Sequence, residues 1–427
     1  MTIIKPFRGY RYNAKTVGDL SKAITPPYDV INKRQQASYY KTHPYNFIRL
    51  DLGKTLPKDN KGNNRYTRAG DFLEECIDKE VLVRDARDSV YVYDQEYTDG
   101  GKKKHRLGFI SLARLEEDRT KGFLPHERTF RGPKLDRLRL MKETGANLSP
   151  IFSIVIDENK KVINILRGFI RNKKPSVDVR FEGTRNRIWL MPDAATIKRL
   201  QRSVKAKRAL IADGHHRYEV SLEYRKYMLE HDRASGPAAN YVMMYFATSD
   251  PSGMTILPTH RMVEGLPAGT FRKNLSKIEK FFDIIHVNSK EKMLARMKAD
   301  RKHTIGVYLG GRKFLCLSLK RRDAGGLIKS ANSDYWRNLD VVILHHLVFE
   351  KALGIKGEKA EKMISFTRDL ATAFKWASSG SGRASFFLNP PAFDEIKNIV
   401  KRQERMPHKT TYFYPKPPSG LVINKIG

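Results

Sequence analysis

The sequence predicts an α+β fold whose central part contains a mixed sheet, and three stretches carry that prediction. The segment SVYVYDQEYT (89–98) alternates as a half-buried strand does, and KKKHRLGFISLARLE (102–116) follows it, so the two predict a hairpin. The nearly continuous apolar run ANYVMMYFATSD (239–250) predicts a strand that is buried on both faces. The segment RALIADGHHRYEVSLEYRKYM (208–228) predicts a strand, a tight turn and a helix in succession.

The length predicts more than one domain. A chain of 427 residues can form two or three domains with separate cores. Segment patterns predict an N-terminal α/β region over residues 1–115, a central domain over 116–268 and a C-terminal α/β domain over 269–427. No internal repeat of solenoid or propeller length is visible in the sequence.

The charge of the chain favours anionic partners. Its formal net charge is +35 and its pI is about 10.0. Such a surface attracts nucleotides, phosphorylated metabolites, nucleic acid or an anionic membrane surface, and charge alone does not choose among them. The alternative is that the charge reflects only a basic proteome, because net charge bears on solubility and association and not on fold.

The cysteine content and the hydropathy predict a cytoplasmic protein. Only Cys76 and Cys316 are present, so no disulfide framework is expected. The start of the chain, MTIIKPFRGYRYN, lacks the apolar core of a signal peptide. No apolar run approaches the ~18 residues that a membrane span needs.

The motif DGHHR (213–217) predicts an anion site where a strand turns into a helix. The first turn of a helix presents unpaired N–H groups at the positive end of the dipole, which suits a phosphate. Gly214 allows a close backbone approach, His215 and His216 add donors, and Arg217 can bind phosphate oxygens in a bidentate way. The alternatives are a helix cap by Asp213 or a metal site, although adjacent histidines diverge by about 100° on a helix.

A second candidate segment is LPHERTF (124–130). His126 or Glu127 could act as a general base there, Arg128 could clamp a phosphate, and Glu127 could instead hold Mg²⁺. Lys134 follows on a basic helix face. The alternative for both is a solvated loop and a solvated helix surface.

Two further clusters lie at the end of a strand and in the tail. His260 and Arg261 follow the apolar run of ILPTHRM, and strand ends are where sites gather in α/β proteins. In the tail, Lys409 and Lys416 could close over a phosphate. The interpretation that we favour there is aromatic packing with both lysines in solvent.

The motif around residue 213 also carries a resemblance. IADGHHRYEV resembles the FGGCHRYEA-type signature of sulfiredoxin and the Gly-x-Arg-Arg box of ParB, in a superfamily where this strand, turn and helix bind nucleotide phosphates. His215 stands at the position of the sulfiredoxin cysteine, which argues against sulfinic-acid reduction. The DGHHR form resembles the free-serine kinases of that superfamily, which phosphorylate L-serine with ADP or ATP.

The whole chain also resembles the uncharacterised domain-of-unknown-function family 1015. The matching stretches are FRGYRYN, TPPYDVI, PYNFIRL, LPHERTF with GPKLDRL, NLSPIF, ADGHHRYE, NYVMMYF with ILPTHR, and MPHKTTYFYPKPPSGL. They run from the first residues to the last. The resemblances together imply that the central domain, 116–268, is a ParB/sulfiredoxin-like nucleotide-binding unit.

These resemblances imply a small-molecule kinase that uses ADP or ATP with Mg²⁺ and phosphorylates a hydroxyl of a serine-like amino acid or a hydroxy acid. The catalytic candidates are Glu127, His126, Asp213 and His216, and the Mg²⁺ candidates are Asp213 and Glu127. The phosphate-binding candidates are Gly214, His215, Arg217, Arg128, Lys134, His260 and Arg261. The alternatives are a ParB-like, nucleotide-binding regulatory protein on DNA, which the charge favours, and an interaction scaffold.

Overall fold

A computed structural model describes the chain except for residues 118–121, 128–130, 232–235, 268, 301–302, 322 and 427. The chain forms two compact units. Unit 1 consists of residues 1–125, 129–255 and 415–427, and unit 2 consists of residues 126–128 and 256–414. Of the helices in the described ranges, none is long and apolar enough to cross a membrane.

The described residues form strands and helices along the whole chain. The strands are β1 (Ile4–Lys5), β2 (Tyr10–Tyr12), β3 (Leu82–Arg84), β4 (Val90–Asp99), β5 (Lys102–Arg114), β6 (Phe123–Leu124), β7 (Ala146–Asn147), β8 (Ile151–Val155), β9 (Val177–Phe181), β10 (Thr184–Met191), β11 (Ala209–Asp213), β12 (Tyr241–Thr248), β13 (Thr255–Leu257), β14 (His260–Val263), β15 (Phe282–Val287), β16 (Thr304–Tyr308), β17 (Phe314–Leu319), β18 (Ile364–Thr367), β19 (Ala384–Phe387), β20 (Tyr412–Tyr414) and β21 (Asn424–Lys425). The α-helices are α1 (Ala14–Val17), α2 (Leu20–Ala23), α3 (Lys33–Thr42), α4 (Ile48–Asp51), α5 (Arg65–Asp78), α6 (Arg131–Thr144), α7 (Lys161–Ile170), α8 (Ala194–Lys205), α9 (His215–His231), α10 (Thr270–Lys273), α11 (Leu275–Glu279), α12 (Lys290–Ala299), α13 (Asp334–Arg337), α14 (Asp340–Ile343), α15 (Glu358–Met363), α16 (Leu370–Ser378) and α17 (Phe393–Lys401). Short 3₁₀ turns cover Tyr28–Val30, Ala238–Asn240 and Pro251–Gly253, and a π-helical segment covers Leu344–Ala352.

Unit 1 is built on a mixed sheet, which confirms the α+β prediction. The strand order is β6-β11-β8-β12-β5-β4-β10-β9, and β1 also pairs with β5. The pairs β6–β11 and β8–β12 are parallel, while the other pairs along the sheet are antiparallel. The central strand β12 is buried on both faces, as its continuous apolar run predicts. Helices α7 and α8 contribute apolar side chains to the core of this sheet.

The expected hairpin is present, but its first strand is not half-buried. Strands β4 and β5 pair in an antiparallel register that joins Tyr91 to Ile110. Residues from Val90 to Gln95 are all buried, although they alternate in character. The second face of the sheet accommodates polar groups because they find partners: the hydroxyl of Tyr91 bonds to Gly9, and that of Tyr93 bonds to Asn186. The alternation of residues along β4 therefore identified its two faces correctly, but the prediction that one of those faces is exposed was wrong.

The three predicted regions remain a prediction, and the sheet itself combines strands from two of them. Strands β4 and β5 fall within residues 1–115, and β8, β11 and β12 fall within 116–268, yet all five lie in one sheet. The tail returns to the same unit, where β21 pairs with β7 and Ser419 pairs with Thr25. Unit 1 is thus closed by residues from opposite ends of the sequence.

Unit 2 contains a second sheet with the strand order β15-β17-β16-β19-β14-β18. Its described pairs are antiparallel. Helices α12 and α16 cover one apolar cluster, in which Met293, Met297, Ala373 and Ala377 pack near Phe387. A short two-stranded sheet pairs β13 with β20.

Candidate functional site

The candidate site of unit 1 begins where β11 ends. Strand β11 runs through buried residues to Asp213, Gly214 follows with φ +92°, and helix α9 begins at His215. A φ in this region favours glycine, so the chain can turn directly from strand to helix. The strand, tight turn and helix predicted from the motif are therefore confirmed, and the first turn of α9 lies at the end of the sheet.

The carboxylate of Asp213 is held by two cations. Its Oδ2 accepts a hydrogen bond from Nη2 of Arg217 at 2.8 Å, and its Oδ1 lies 2.6 Å from Nζ of Lys416. The same Nζ lies 2.5 Å from Oδ2 of Asp29, in the 3₁₀ turn Tyr28–Val30. Lys416 therefore bridges two carboxylates from distant parts of the chain beside the start of α9.

The burial of Lys416 differs from our expectation. We expected Lys416 to lie in solvent, but only 9% of its side chain is exposed. The expectation was wrong because the aromatic and proline-rich tail packs against the unit and carries the lysine with it. Pro415, the preceding residue, accepts a hydrogen bond from the buried Arg106 through its carbonyl.

Arg217 is engaged with protein acceptors. Besides Asp213, its Nη1 donates to Oγ of Ser149 at 2.8 Å and to the carbonyl of Pro150 at 2.7 Å. A β-carbon on Gly214 would lie 2.9 Å from the guanidinium, so the arginine folds directly over the turn. In this arrangement Arg217 orients Asp213 and the segment before β8, and the predicted bidentate phosphate contact would require new partners for it.

The two histidines of the motif differ in environment. His215 is buried, whereas His216 is partly buried. Burial lowers the pKa of His216 below its usual value, and Lys134 adds to that effect, while Glu219, Asp29 and Asp213 oppose it. The imidazole of His216 is therefore expected to be neutral near pH 7, in the form that accepts a proton.

Lys134 lies on α6 and is paired with α9. Its Nζ lies 3.3 Å from Glu219 and 3.8 Å from Glu223. The predicted phosphate-binding lysine thus belongs to the same neighbourhood as His216, because both interact with Glu219. This position confirms that the structure brings Lys134 close to the motif, and its ligand role stays a prediction.

A buried ion pair lies next to the residues that contact Arg217. Nη1 of Arg137 donates to Oδ1 of Asp51 at 3.0 Å, and the guanidinium lies 4.0 Å from the ring centre of Tyr28. Burial raises the pKa of Asp51 above its usual value, although Arg137 and Arg217 oppose that shift. A small cavity of about 40 Å³ is lined by this pair together with Ser149 and Arg217. The pair therefore lies between the 3₁₀ turn that contains Tyr28 and the hydrogen bonds of Arg217.

The remaining predicted residues belong to unit 2 or lie outside the described residues. His126 is buried and its Nε2 lies 2.8 Å from Oγ1 of Thr411, while the carbonyl of Glu127 accepts from Arg405. His260 and Arg261 lie on β14 and are both buried. Arg128 lies outside the described residues. The roles predicted for these five residues stay predictions.

The described residues contain no group of three or more His, Cys, Asp or Glu side chains that could hold a metal ion. The carboxylates that Lys416 bridges are nevertheless oxygen donors of the type that Mg²⁺ prefers, and Mg²⁺ is usually bound by one or two carboxylates together with substrate phosphates. Asp213 was predicted as such a ligand. Asp29 was not.

Four residues of the site were not predicted from the sequence: Asp29, Asp51, Arg137 and Ser149. Asp29 and Lys416 are 387 positions apart, so no local pattern could join them. Both lie in stretches that carry the family resemblance, TPPYDVI and MPHKTTYFYPKPPSGL. The charged residues of those stretches were the available signal.

Fold and site together define an α+β protein with a candidate anion site at the start of a helix, beside two aspartates that share one lysine. The chain belongs to the family described as "Protein of unknown function (DUF1015)", whose model matches residues 4–342. The resemblance to family 1015 is therefore confirmed over these residues.

The chain is also similar to several solved structures. A free serine kinase variant in complex with ADP has 13% sequence identity and a TM-score of 0.37, with 74% of this chain and 92% of that chain covered. SbnI with a C-terminal truncation, from Staphylococcus aureus, has 11% identity and a TM-score of 0.37, with coverage of 74% and 87%. A conserved hypothetical protein from Pyrococcus furiosus has 13% identity and a TM-score of 0.34, with coverage of 74% and 95%. No protein of curated function matches the sequence.

Proposed function

We propose that this protein is a phosphotransferase that moves a phosphoryl group from ADP or ATP to a hydroxyl of a serine-like free amino acid or a hydroxy acid. The observation that carries the proposal is the start of α9, where Gly214 leads into a 17-residue helix beside Lys416, Asp29 and Asp213. Resemblance of the DGHHR motif to free-serine kinases supports the same reaction.

The first turn of α9 is suited to hold phosphate oxygens. Helix N–H groups at this end lack intrahelical acceptors, and the helix dipole favours negative charge. Lys134 and Lys416 lie near the turn, where their ammonium groups pair with carboxylates that a bound phosphate would compete with. Phosphoryl transfer depends mainly on positioning and on charge neutralisation, which this set of groups can supply.

Asp213 and Asp29 are the proposed Mg²⁺ ligands. Lys416 holds one oxygen of each carboxylate within 2.6 Å of the same nitrogen, so the two groups converge on one point, where Mg²⁺ would take the place of the ammonium. A bound Mg²⁺ would supply charge neutralisation for the phosphates. Glu127, the other metal candidate, belongs to unit 2 and stays a separate proposal.

His216 is the proposed general base. Because burial lowers its pKa, the neutral imidazole can accept the proton of the substrate hydroxyl as the oxygen forms its bond to phosphorus. The bond from that phosphorus to the bridging oxygen of the nucleotide breaks in the same transfer, so the leaving group is AMP from ADP or ADP from ATP. His126 and Glu127 are the second candidates for this proton transfer.

The experiment incubates the pure protein with Mg²⁺, ADP or ATP and a panel of hydroxy-amino acids and hydroxy acids, with mass spectrometry of the products. His216→Asn should reduce kcat by at least about a hundredfold, as loss of a general base does. His231→Asn is the matched control, because it changes the same residue type at the exposed far end of α9. Glu127→Gln tests one of the two second candidates. No phosphorylated product in any pairing would refute the proposal.

The charge supports a second candidate function, nucleotide-dependent binding to DNA. A net charge of +35 favours a polyanionic partner, and ParB is part of the resemblance. The measurement is fluorescence anisotropy of labelled duplex DNA across a salt series. Binding with a steep salt dependence, together with no turnover of hydroxyl substrates, would reverse the order of the two candidates.

A further inference from the structure

Unit 2 contains a large cavity that the proposed phosphotransferase does not use. Its volume is about 1090 Å³, just above the usual size of small-molecule sites. It lies between α10 and α11, the turn that joins β16 to β17, and the segment before β19. No described residue of the unit 1 site contributes to it.

Part of the cavity lining, called the apolar wall below, is hydrocarbon. Leu266 and Phe271 line it and are buried, while Leu275, Leu309 and Phe314 line it and remain partly accessible. Apolar surface of this kind gains free energy when a ligand removes it from water, at about 25 cal/mol per Å². The wall therefore favours a ligand with an apolar body.

The rim of the cavity is cationic. Arg272, Lys292, Arg312, Lys313 and Arg383 all line it, and among its described lining residues none is acidic. Arg383 lies 3.9 Å from Glu264. The other four form no ion pair with any described residue, although many exposed lysines and arginines of this chain do.

The clustering of these cations is unfavourable in free energy unless an anion is bound. Like charges around one cavity repel one another, and a ligand with negative charge relieves that repulsion. Arg312 and Lys313 stand next to each other in an exposed turn, where they can both approach one phosphate. The cavity thus combines an apolar wall with a rim that is complementary to a doubly charged group.

We propose that this cavity binds a phosphate or diphosphate ester of a single hydrocarbon chain. The chain lies on the wall of Leu266, Phe271 and their neighbours, and the phosphate contacts Arg312, Lys313 and Arg272. Charge complementarity assigns the head group, and the absence of acidic lining residues among those described excludes a cationic one. The site is independent of the proposed phosphotransferase activity.

The experiment titrates the whole protein with decyl phosphate, below its micelle concentration, by isothermal titration calorimetry. Decanol and inorganic phosphate are the comparison ligands, because each carries only half of the proposed chemistry. Arg312→Glu with Lys313→Glu reverses the rim at two exposed turn positions. The matched control is Lys359→Glu with Lys362→Glu, which changes the net charge equally on exposed positions of unit 2 outside the cavity.

Decyl phosphate should bind at least about tenfold more tightly than decanol or inorganic phosphate, and the rim variant should lose at least about tenfold of that affinity. The control variant should keep it. Equal affinity for decanol, or an equal loss in the control variant, would overturn the proposal. A loss of ADP affinity in the rim variant would overturn it as well, since the cavity would then be a nucleotide site.

Discussion

Replacing Lys416 by methionine tests whether the bridge between the two aspartates stabilises unit 1. The variant keeps most of the apolar stem and removes the charge. Only 9% of the Lys416 side chain is exposed, and its Nζ lies 2.5 Å from Asp29 and 2.6 Å from Asp213. Removing one partner of a buried ion pair costs about 3–5 kcal/mol.

The expected loss is smaller than that range. Asp213 keeps its bond to Arg217, and one third of the Asp29 side chain is exposed, so water can partly replace the lysine there. We therefore expect the free energy of unfolding to fall by about 2–3 kcal/mol. Adding Asp29→Asn to Lys416→Met should recover about 1 kcal/mol, because the repulsion between the two carboxylates is removed.

The assay is urea-induced unfolding at pH 7, followed by circular dichroism. Lys425→Met is the control, because Lys425 lies in the same tail and pairs with Glu74 at 2.7 Å on the surface. Loss of this surface pair should cost about 0.5 kcal/mol or less. If Lys416→Met and Lys425→Met unfold within about 0.5 kcal/mol of each other, the bridge does not stabilise the unit as described.

Three further predictions concern stability. Gly214→Ala should cost about 1–3 kcal/mol in urea unfolding and displace Arg217, because φ is +92° and the new β-carbon lies 2.9 Å from the guanidinium; an unchanged midpoint would contradict this. Burial lowers the pKa of His260 to about 4 from an ordinary 6.5, so the unfolded chain binds the proton first and stability should fall as pH drops from about 6.5 to about 4. His260→Asn should flatten that part of the pH profile by up to about 3 kcal/mol, and an identical profile would show that the histidine does not contribute. Asp193→Ala should lower the urea midpoint of unfolding at pH 7, since Asp193 caps α8 by accepting from the N–H of Thr196 at 2.7 Å, and an unchanged midpoint would refute the cap.

The local parts of the site were accessible from the sequence. The turn at Gly214 and the start of α9 follow from a glycine between an apolar strand and a helical pattern, which depends only on neighbouring residues. The burial of β12 follows in the same way from its continuous apolar run. Such features need no knowledge of the rest of the chain.

The parts that depend on distant pairing were not accessible. Nothing in TPPYDVI or in the tail indicates that Asp29 meets Lys416, because the pairing is fixed by the way β21 and Ser419 join unit 1. The predicted exposure of one face of β4 was wrong for a related reason. The alternation of its residues is a local pattern, whereas the groups that cover its second face come from distant parts of the chain. Patterns predict elements, while the packing of distant segments decides which side chains meet.

The return of the tail to unit 1 has a consequence for biosynthesis. Residues 256–414 of unit 2 must be translated before residues 415–425 leave the ribosome. At about 5–20 residues per second, those roughly 160 residues take on the order of 8–30 s. During that interval the edge of β7 has no partner from β21, and Asp29 and Asp213 have no lysine between them. A nascent chain in this state presents an open strand edge to chaperones and to other chains, so slow translation of the second unit should increase aggregation of the first.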